Sequence, residues 1–514
     1  MTVVAWGWIY LAGFVGLMFY FGYVGMRRTH SADSYATARG SYIGPVLGLS
    51  YMAMIASGAT FMGVPGIAYE SGFKGAYVAL LYPIGAYIGT MLIARRLKRS
   101  GDRLGSATIP DFLGDLYRSP VVRAVAALMS LFLIYYLMAQ LAASGQLFET
   151  LMGIPYQYGL LVVIGILMVY MTIGGSHSDI ITDAVQGFFM LVIAGIVAGA
   201  FFVGFGVDGF GPGAVNAALP EVMRWDVHTD PANPSFANWW MIIAVLVSHL
   251  GFIALPHLGN KFFALRGTAQ VRQFVVTSSL AGFVVSFLFL GGILARAIGV
   301  EPDHPDAVVP TLFIEMLPSW MAALLSIAIL SAILSTSDGL LMSISQIFAN
   351  DLYRKTWVPW RGQDPKDPRV DRRSLLVGRI GVLLAGFVAA AAVWTPPELL
   401  VIWMWLGLGG IISALTGPVF LGVWWRGANT AGALGGALTG FLVYLAVHMG
   451  PQFGLYAGWY PLSDNPFAST VVGMAAGFLG CWLWSRIGAP LPEQHMAMVR
   501  SAETVAERGG EQAW

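Results

Sequence analysis

Residues 328–355 read AILSAILSTSDGLLMSISQIFANDLYRK, an apolar run that places Ser335, Thr336, Ser337 and Asp338 side by side. On a helix, positions i, i+3 and i+4 share one face. The carbonyl of Ala332 and the hydroxyls of Ser335 and Thr336 can therefore converge on one point. Neutral oxygens at such a point suit an alkali cation that must be bound and then released. The alternative is that both hydroxyls only bond back to carbonyls four residues earlier, and the residues alone leave the two readings open. Asp338 adds a carboxylate to the same segment, and Asp183 stands in a second apolar run. Carboxylates in such surroundings are costly and point to function by default.

A cation site of this kind needs further oxygens, and a helix broken at mid-depth releases them. Two segments look broken. In GLSYMAMIASGATFMGVPGIAYESG, residues 48–72, the small residues Ala53, Ala56, Ser57, Gly58, Ala59 and Thr60 precede Pro65-Gly66. In NWWMIIAVLVSHLGFIALPHLGNK, residues 238–261, Ser248, His249 and Gly251 precede Pro256. Ala53 and Ala56, three apart at the first break, are suited to donate carbonyls to the Ala332–Ser335–Thr336 face. For any single Gly or Ala here, close helix packing is an equal explanation. For His249, packing competes with a role as a solute donor.

The elements that must hold these residues are membrane spans. Of 514 residues, 57% are hydrophobic and 11% charged, against roughly 25% charged in ordinary soluble domains. The single cysteine, Cys481, excludes a disulfide framework. A net charge of +1 singles out no partner, and none of nucleic-acid type is expected. Apolar runs long enough to cross a bilayer recur along the chain. They predict thirteen helices near 5–26, 43–67, 74–94, 121–152, 156–173, 182–206, 238–258, 274–298, 318–350, 374–395, 399–424, 430–449 and 468–486. The first reads as a span and not a signal peptide, being too long and lacking a basic start. With the N-terminus outside and the C-terminus in the cytoplasm, only Lys74, Arg224 and Arg296 of the 28 Lys and Arg fall on the outer side. That alternation supports an all-α, multi-pass protein of a plasma membrane, expected to be a bacterial inner membrane. It comprises one body over 1–486 and a cytoplasmic tail over 487–514.

Three function classes fit such a body: a secondary transporter, a channel or a membrane-embedded enzyme. No Walker glycine loop, HExxH or GxSxG motif stands in the spans, which speaks against ATP-driven or hydrolytic chemistry. No filter loop suggests a channel. The broken spans lie five apart and cross in opposite directions, the pattern of inverted repeats in transporters.

Five stretches carry a family resemblance: ITDAVQGFFM (181–190), ALPHLGNKF (254–262), AILSTSDGLLMSISQIFANDLY (332–353), LFETLMGIPYQYGLL (147–161) and WTPPELLVIWMWLGLGG (394–410). The chain resembles the sodium:solute symporter family, and the last two stretches resemble its pantothenate branch. The resemblance implies a leucine-transporter-like fold of two inverted five-helix repeats, here 42–206 and 238–425, with one extra N-terminal and two extra C-terminal helices. It implies sodium as the co-transported ion, held by the carbonyls of Ala53, Ala56 and Ala332 and the hydroxyls of Ser335 and Thr336. Ile55 departs from the polar residue some members have between the first two carbonyls. A second cation site from Asp183, Ser337 and Asp338 is an option, a water-filled inner rim the other. Positions that hold solute in relatives fall on Ser57, Thr60, Ser248, Phe252 and Pro256. With Ser248 and Phe252 where some relatives carry Trp and Tyr, the expected cargo is a small organic solute with a carboxylate, such as pantothenate or a short monocarboxylate. A sugar or amino acid is the alternative.

Overall fold

The computed structural model describes residues 1–28, 38–396 and 400–500. Parts of the stretch between the first two expected spans and of the tail 487–514 lie outside them. The described residues form helices throughout, with one isolated bridge between Tyr42 and Leu265. Hydrocarbon dictates this, since a helix satisfies its own backbone groups where water cannot.

Helix α1 (Val3–Arg28) precedes α2 (Gly44–Ile55), which stops after only 12 residues. A π-helical turn, Ala59–Gly63, then starts the next piece and continues as α3 (Val64–Ser71). Beyond a turn at Gly72 come α4 (Gly75–Leu104) and the short α5 (Ile109–Leu116). A helix over Pro120–Ser130 leads into α6 (Leu133–Met152). Helical structure over Tyr156–Val203, α7, runs for 48 residues, interrupted only at Gly175. There φ is 62° and ψ −169°, a conformation that needs a residue without Cβ.

The second broken element consists of α8 (Trp239–His249), a 3₁₀ turn at Phe252–Ala254, and α9 (Pro256–Gly259). Pro256 brings no amide to the ladder and holds Leu255 in an extended conformation. The two arms meet at 57°. Further along stand α10 (Val271–Ser286), α11 (Ser319–Gln346), α12 (Pro368–Ala392), α13 (Leu400–Trp424), α14 (Thr430–Tyr444) and α15 (Pro466–Ile487). Helix α11 continues as a π-helix through Ile347–Trp357.

By length and apolarity, ten of the described helices can cross a membrane, or eleven with the bent pair Trp239–Ala254 and Pro256–Ala264 taken as one. The expectation of thirteen is not met by that criterion, for two physical reasons. The span expected over 43–67 is cut at Ala56, leaving a helix too short to qualify. The span expected over 156–173 qualifies only as a shorter apolar helix, Tyr156–Val169.

Small residues set how closely the spans approach. Gly85 and Gly89 stand four apart on α4 against α8, the spacing that lets membrane helices touch backbone to backbone. A Cβ at Gly85 would overlap the Leu246 carbonyl, and one at Gly89 the Leu250 carbonyl. Arg123 bonds Asp111 (3.1 Å) and Asp115 (2.6 Å), and Lys355 bonds Asp111 (2.7 Å). These pairs tie α5 to the π-helical continuation of α11.

Gly89→Ala is therefore expected to lower stability by about 1–3 kcal/mol, the usual range for overpacking. Gly165→Ala, which meets nothing within 4 Å, is the comparison and should not. Thermal unfolding of the purified protein in detergent measures both.

Candidate ion and solute site

The break after α2 releases backbone oxygens because the amides beyond it have gone elsewhere. A continuing helix would close the amides of Ser57, Gly58, Ala59 and Thr60 onto the carbonyls of Ala53 to Ala56. Instead Ser57 N donates to Ile55 O (3.0 Å) and Thr60 N to Ser57 O (2.8 Å). Gly58 N donates to Gln140 Oε1 (2.9 Å) and Ala59 N to Ser57 Oγ (3.2 Å). Ile55 O is thereby taken, and Met54 O is faced by Thr336 Oγ1 at 3.4 Å. The carbonyls of Ala53 and Ala56 are left outside the helical ladder. Thr336 Oγ1 also lies 3.4 Å from Ala332 O. The structure thus brings Ala332 and Thr336 of α11 against the break that contains Ala53 and Ala56, all buried.

Ser335 is one residue on and turned toward a different partner. Its hydroxyl donates to Asp183 Oδ1 at 2.6 Å. A hydroxyl that ligates a cation offers an oxygen lone pair and must send its proton elsewhere. Asp183 is placed to take that proton.

Asp183 is in turn the centre of a buried polar knot. Its Oδ2 accepts from Ser50 Oγ (3.1 Å) and from the Lys261 ammonium. Lys261 Nζ also donates to Ser50 Oγ (2.7 Å) and pairs with Asp179 Oδ2 (3.2 Å). The knot joins α2, α7 and the end of the second broken element. Removing one partner of such a buried ion pair commonly costs about 3–5 kcal/mol, because the other charge is stranded. In the expected second cation set, Ser337 Oγ bonds back to Ile333 O (2.8 Å) and not to either carboxylate. Asp338 is fully buried, and neither of its oxygens has a hydrogen-bond partner among the described residues. Lys261, Asp179 and Ser50 did not stand out in the sequence. Asp179 and Asp183, four apart on one helix face, were the available signal.

On the other side of the first break lies a cavity of about 30 Å³, room for about two waters. Of the expected lining residues, Ser57, Thr60 and Phe252 face it, and so does His249. Ser248 and Pro256 do not line it: Ser248 Oγ donates to Val245 O (3.0 Å), and Pro256 opens α9. The walls that sequence reasoning missed are Tyr82, Tyr136, Trp405 and Phe467 from α4, α6, α13 and α15. Nothing in an apolar run marks such aromatic residues off from packing ones. His249 Nδ1 donates to Val245 O (2.5 Å), which leaves Nε2 as the acceptor of a neutral ring. Its ring centroid lies 4.4 Å from that of Phe252 and 4.8 Å from that of Trp405. Thr60 Oγ1 is 3.5 Å from Tyr82 Oη. The cavity is an aromatic box with a few hydroxyls and no ionised side chain, adjoining the released carbonyls.

Comparison with known proteins places this arrangement. The chain is 25% identical over 460 residues to the sodium/pantothenate symporter of Escherichia coli (strain K12), covering 88% of this chain and 89% of that one. It is 26% identical over 478 residues to the sodium/proline symporter of Staphylococcus aureus (strain JH9), covering 87% and 88%. Its fold is that of a Na⁺-coupled sialic acid symporter solved in a substrate-bound outward-open state, with a TM-score of 0.76 at 20% identity, covering 95% of this chain and 99% of that one. The nucleobase-cation-symport-1 transporter Mhp1, in a closed conformation with bromovinylhydantoin bound, superposes with a TM-score of 0.52 at 16% identity, covering 91% and 98%. These relatives are transporters and not enzymes. Residues 35–440 match the sodium:solute symporter family, and the chain belongs to it.

Proposed function

We propose that this sodium-coupled symporter imports a small organic solute bearing one carboxylate, such as pantothenate or a short monocarboxylate, across a bacterial inner membrane. The observation that carries this reading is the shared break. The carbonyls of Ala53 and Ala56 and the solute-facing Ser57 and Thr60 belong to one interruption of one helix. In this reading Na⁺ sits at Ala53, Ala56, Ala332, Ser335 and Thr336. Bound there, it neutralises the released carbonyls and fixes the turn that presents Ser57 and Thr60.

The carboxylate follows from the charge of the cavity. With no ionised side chain in its lining, the positive charge next to the solute is the sodium itself, one residue away at Ala56. Hydroxyls of Ser57, Thr60, Tyr82 and Tyr136 supply donors, and the rings of Phe252, Trp405 and Phe467 suit an apolar body. A neutral sugar would call for more amide and carboxylate partners than these walls offer.

The cavity is too small for any such solute as it stands, so the walls must part. Alternating access by rocking of the repeats 42–206 and 238–425 against each other does this. We count thirteen crossings by taking Gly44–Ile55 with α3 as one broken span, the 57° pair as another, and α7 as two that meet at Gly175. The N-terminus then lies outside, the C-terminus in the cytoplasm, and Arg123, Lys355 and their carboxylates at the inner face.

Two outcomes test the reading in proteoliposomes, once labelled organic acids, sugars and amino acids have been screened with and without a sodium gradient. Thr336→Ala should raise the sodium concentration for half-maximal uptake roughly tenfold, as the loss of one ligand worth about 1–2 kcal/mol implies. Ser130→Ala, whose hydroxyl donates to the Ala126 carbonyl at 2.7 Å, should leave it unchanged. Equal sodium dependence in the two variants would remove the ion from this site. The second outcome concerns cargo: the amide of the transported acid should enter at least tenfold more slowly than the acid. Equal rates would show that the charge is not recognised.

A further inference from the structure

Around Lys261 the structure shows an arrangement that a co-transported ion would otherwise need. Its ammonium carries three donors and no acceptor. All three are met by oxygens: Asp183 Oδ2, Ser50 Oγ at 2.7 Å and Asp179 Oδ2 at 3.2 Å. These oxygens come from two helices, α2 and α7, while the lysine comes from the far arm of the second broken element. The side chain is 6% exposed. On Asp183, Oδ1 is held by Ser335 and Oδ2 by both Ser50 and Lys261.

We propose that the Lys261 ammonium is a tethered counter-cation that occupies the position a second co-transported ion would take at Asp183, so that one Na⁺ accompanies each solute. This rests on the sodium site of the preceding section and goes beyond it, by fixing how many ions that site works with. A lysine ammonium is a compact, strongly hydrated point charge, and it can stand in for a monovalent ion among oxygens. Through Asp183 it also sets where the Ser335 proton goes. Lys261 is thus a positioning residue for the one ion that moves. Lys261 and Asp179 line a crevice of about 20 Å³ with Asn260, Ser343 and Gln346.

Equilibrium binding of ²²Na⁺ to the purified full-length chain tests this without knowledge of the solute. The wild type should bind about one Na⁺ per chain. Lys261→Met, which keeps the stem and removes the charge, should bind about two, the second at the vacated oxygens. Lys261→Met combined with Asp183→Asn should return to about one, since the carboxylate that called for a cation is gone. Thermal unfolding with rising NaCl is the companion measurement: Lys261→Met should be stabilised more steeply by Na⁺ than the wild type, whether or not it is less stable at the start. Two Na⁺ on the wild type would overturn the proposal and leave the sodium site standing. So would one Na⁺ on folded Lys261→Met with a sodium response like that of the wild type. If Lys261→Met does not fold at any sodium concentration, the wild-type count decides alone. Absence of any bound Na⁺ in the wild type would instead strike the sodium site itself, and this proposal with it.

Discussion

In a bilayer, a backbone carbonyl without a partner has no water to turn to, and each such group costs several kcal/mol. The turn at Ala56–Ser57 places such carbonyls in the middle of a membrane protein. Much of the surrounding structure can be understood as the set of contacts that makes this turn tolerable. Gln140 reaches in from α6 to take the Gly58 amide, and Ser57 turns its own hydroxyl onto the Ala59 amide. Thr336 covers the Met54 carbonyl from α11. The carbonyls of Ala53 and Ala56 are the ones not covered in this way, and a monovalent cation is the simplest group that can satisfy both together.

With ion and solute at the places proposed for them, the same turn would link the two thermodynamically. Two ligands that both depend on the shape of one short segment share the entropy of ordering it, so the first to bind makes the second easier. By linkage the effect is reciprocal. The polar knot at Asp183 adds a connection to the second broken element, since Lys261 follows its bend and Ser335 belongs to α11. A movement of either broken element would be felt at the other through buried hydrogen bonds rather than through soft apolar contacts.

Much of this was legible in the residues. The small-residue run around Ala56–Ala59 and the Pro256 break announced themselves because few other sequences stop a helix inside an apolar run. The i, i+3, i+4 placement of Ala332, Ser335 and Thr336 announced a face. Three things were hidden. Lys261 reads like any of the basic residues that anchor an inner loop, and only the fold reveals that its ammonium turns inward to Asp183. The cavity walls Tyr82, Tyr136, Trp405 and Phe467 come from four helices distant in sequence, and an aromatic in an apolar run gives no sign of which neighbour it will meet. The direction of the Ser335 hydroxyl is a rotamer choice that periodicity does not encode. Between the helices expected near 156–173 and 182–206 the chain stays helical, and the conformation of Gly175 alone divides it.

The lysine at Asp183 has a consequence for energy supply. A charge that is part of the chain returns with the empty carrier and contributes nothing to the net current. One sodium moving with a singly charged anion is then electrically silent. Such a carrier forgoes the roughly 2.3 kcal/mol per charge that 100 mV would add, and a tenfold sodium gradient supplies it with about 1.4 kcal/mol. Its accumulation ceiling stays near tenfold, set by salt and not by voltage. In a cell whose membrane has depolarised, uptake would continue for as long as sodium is kept low inside.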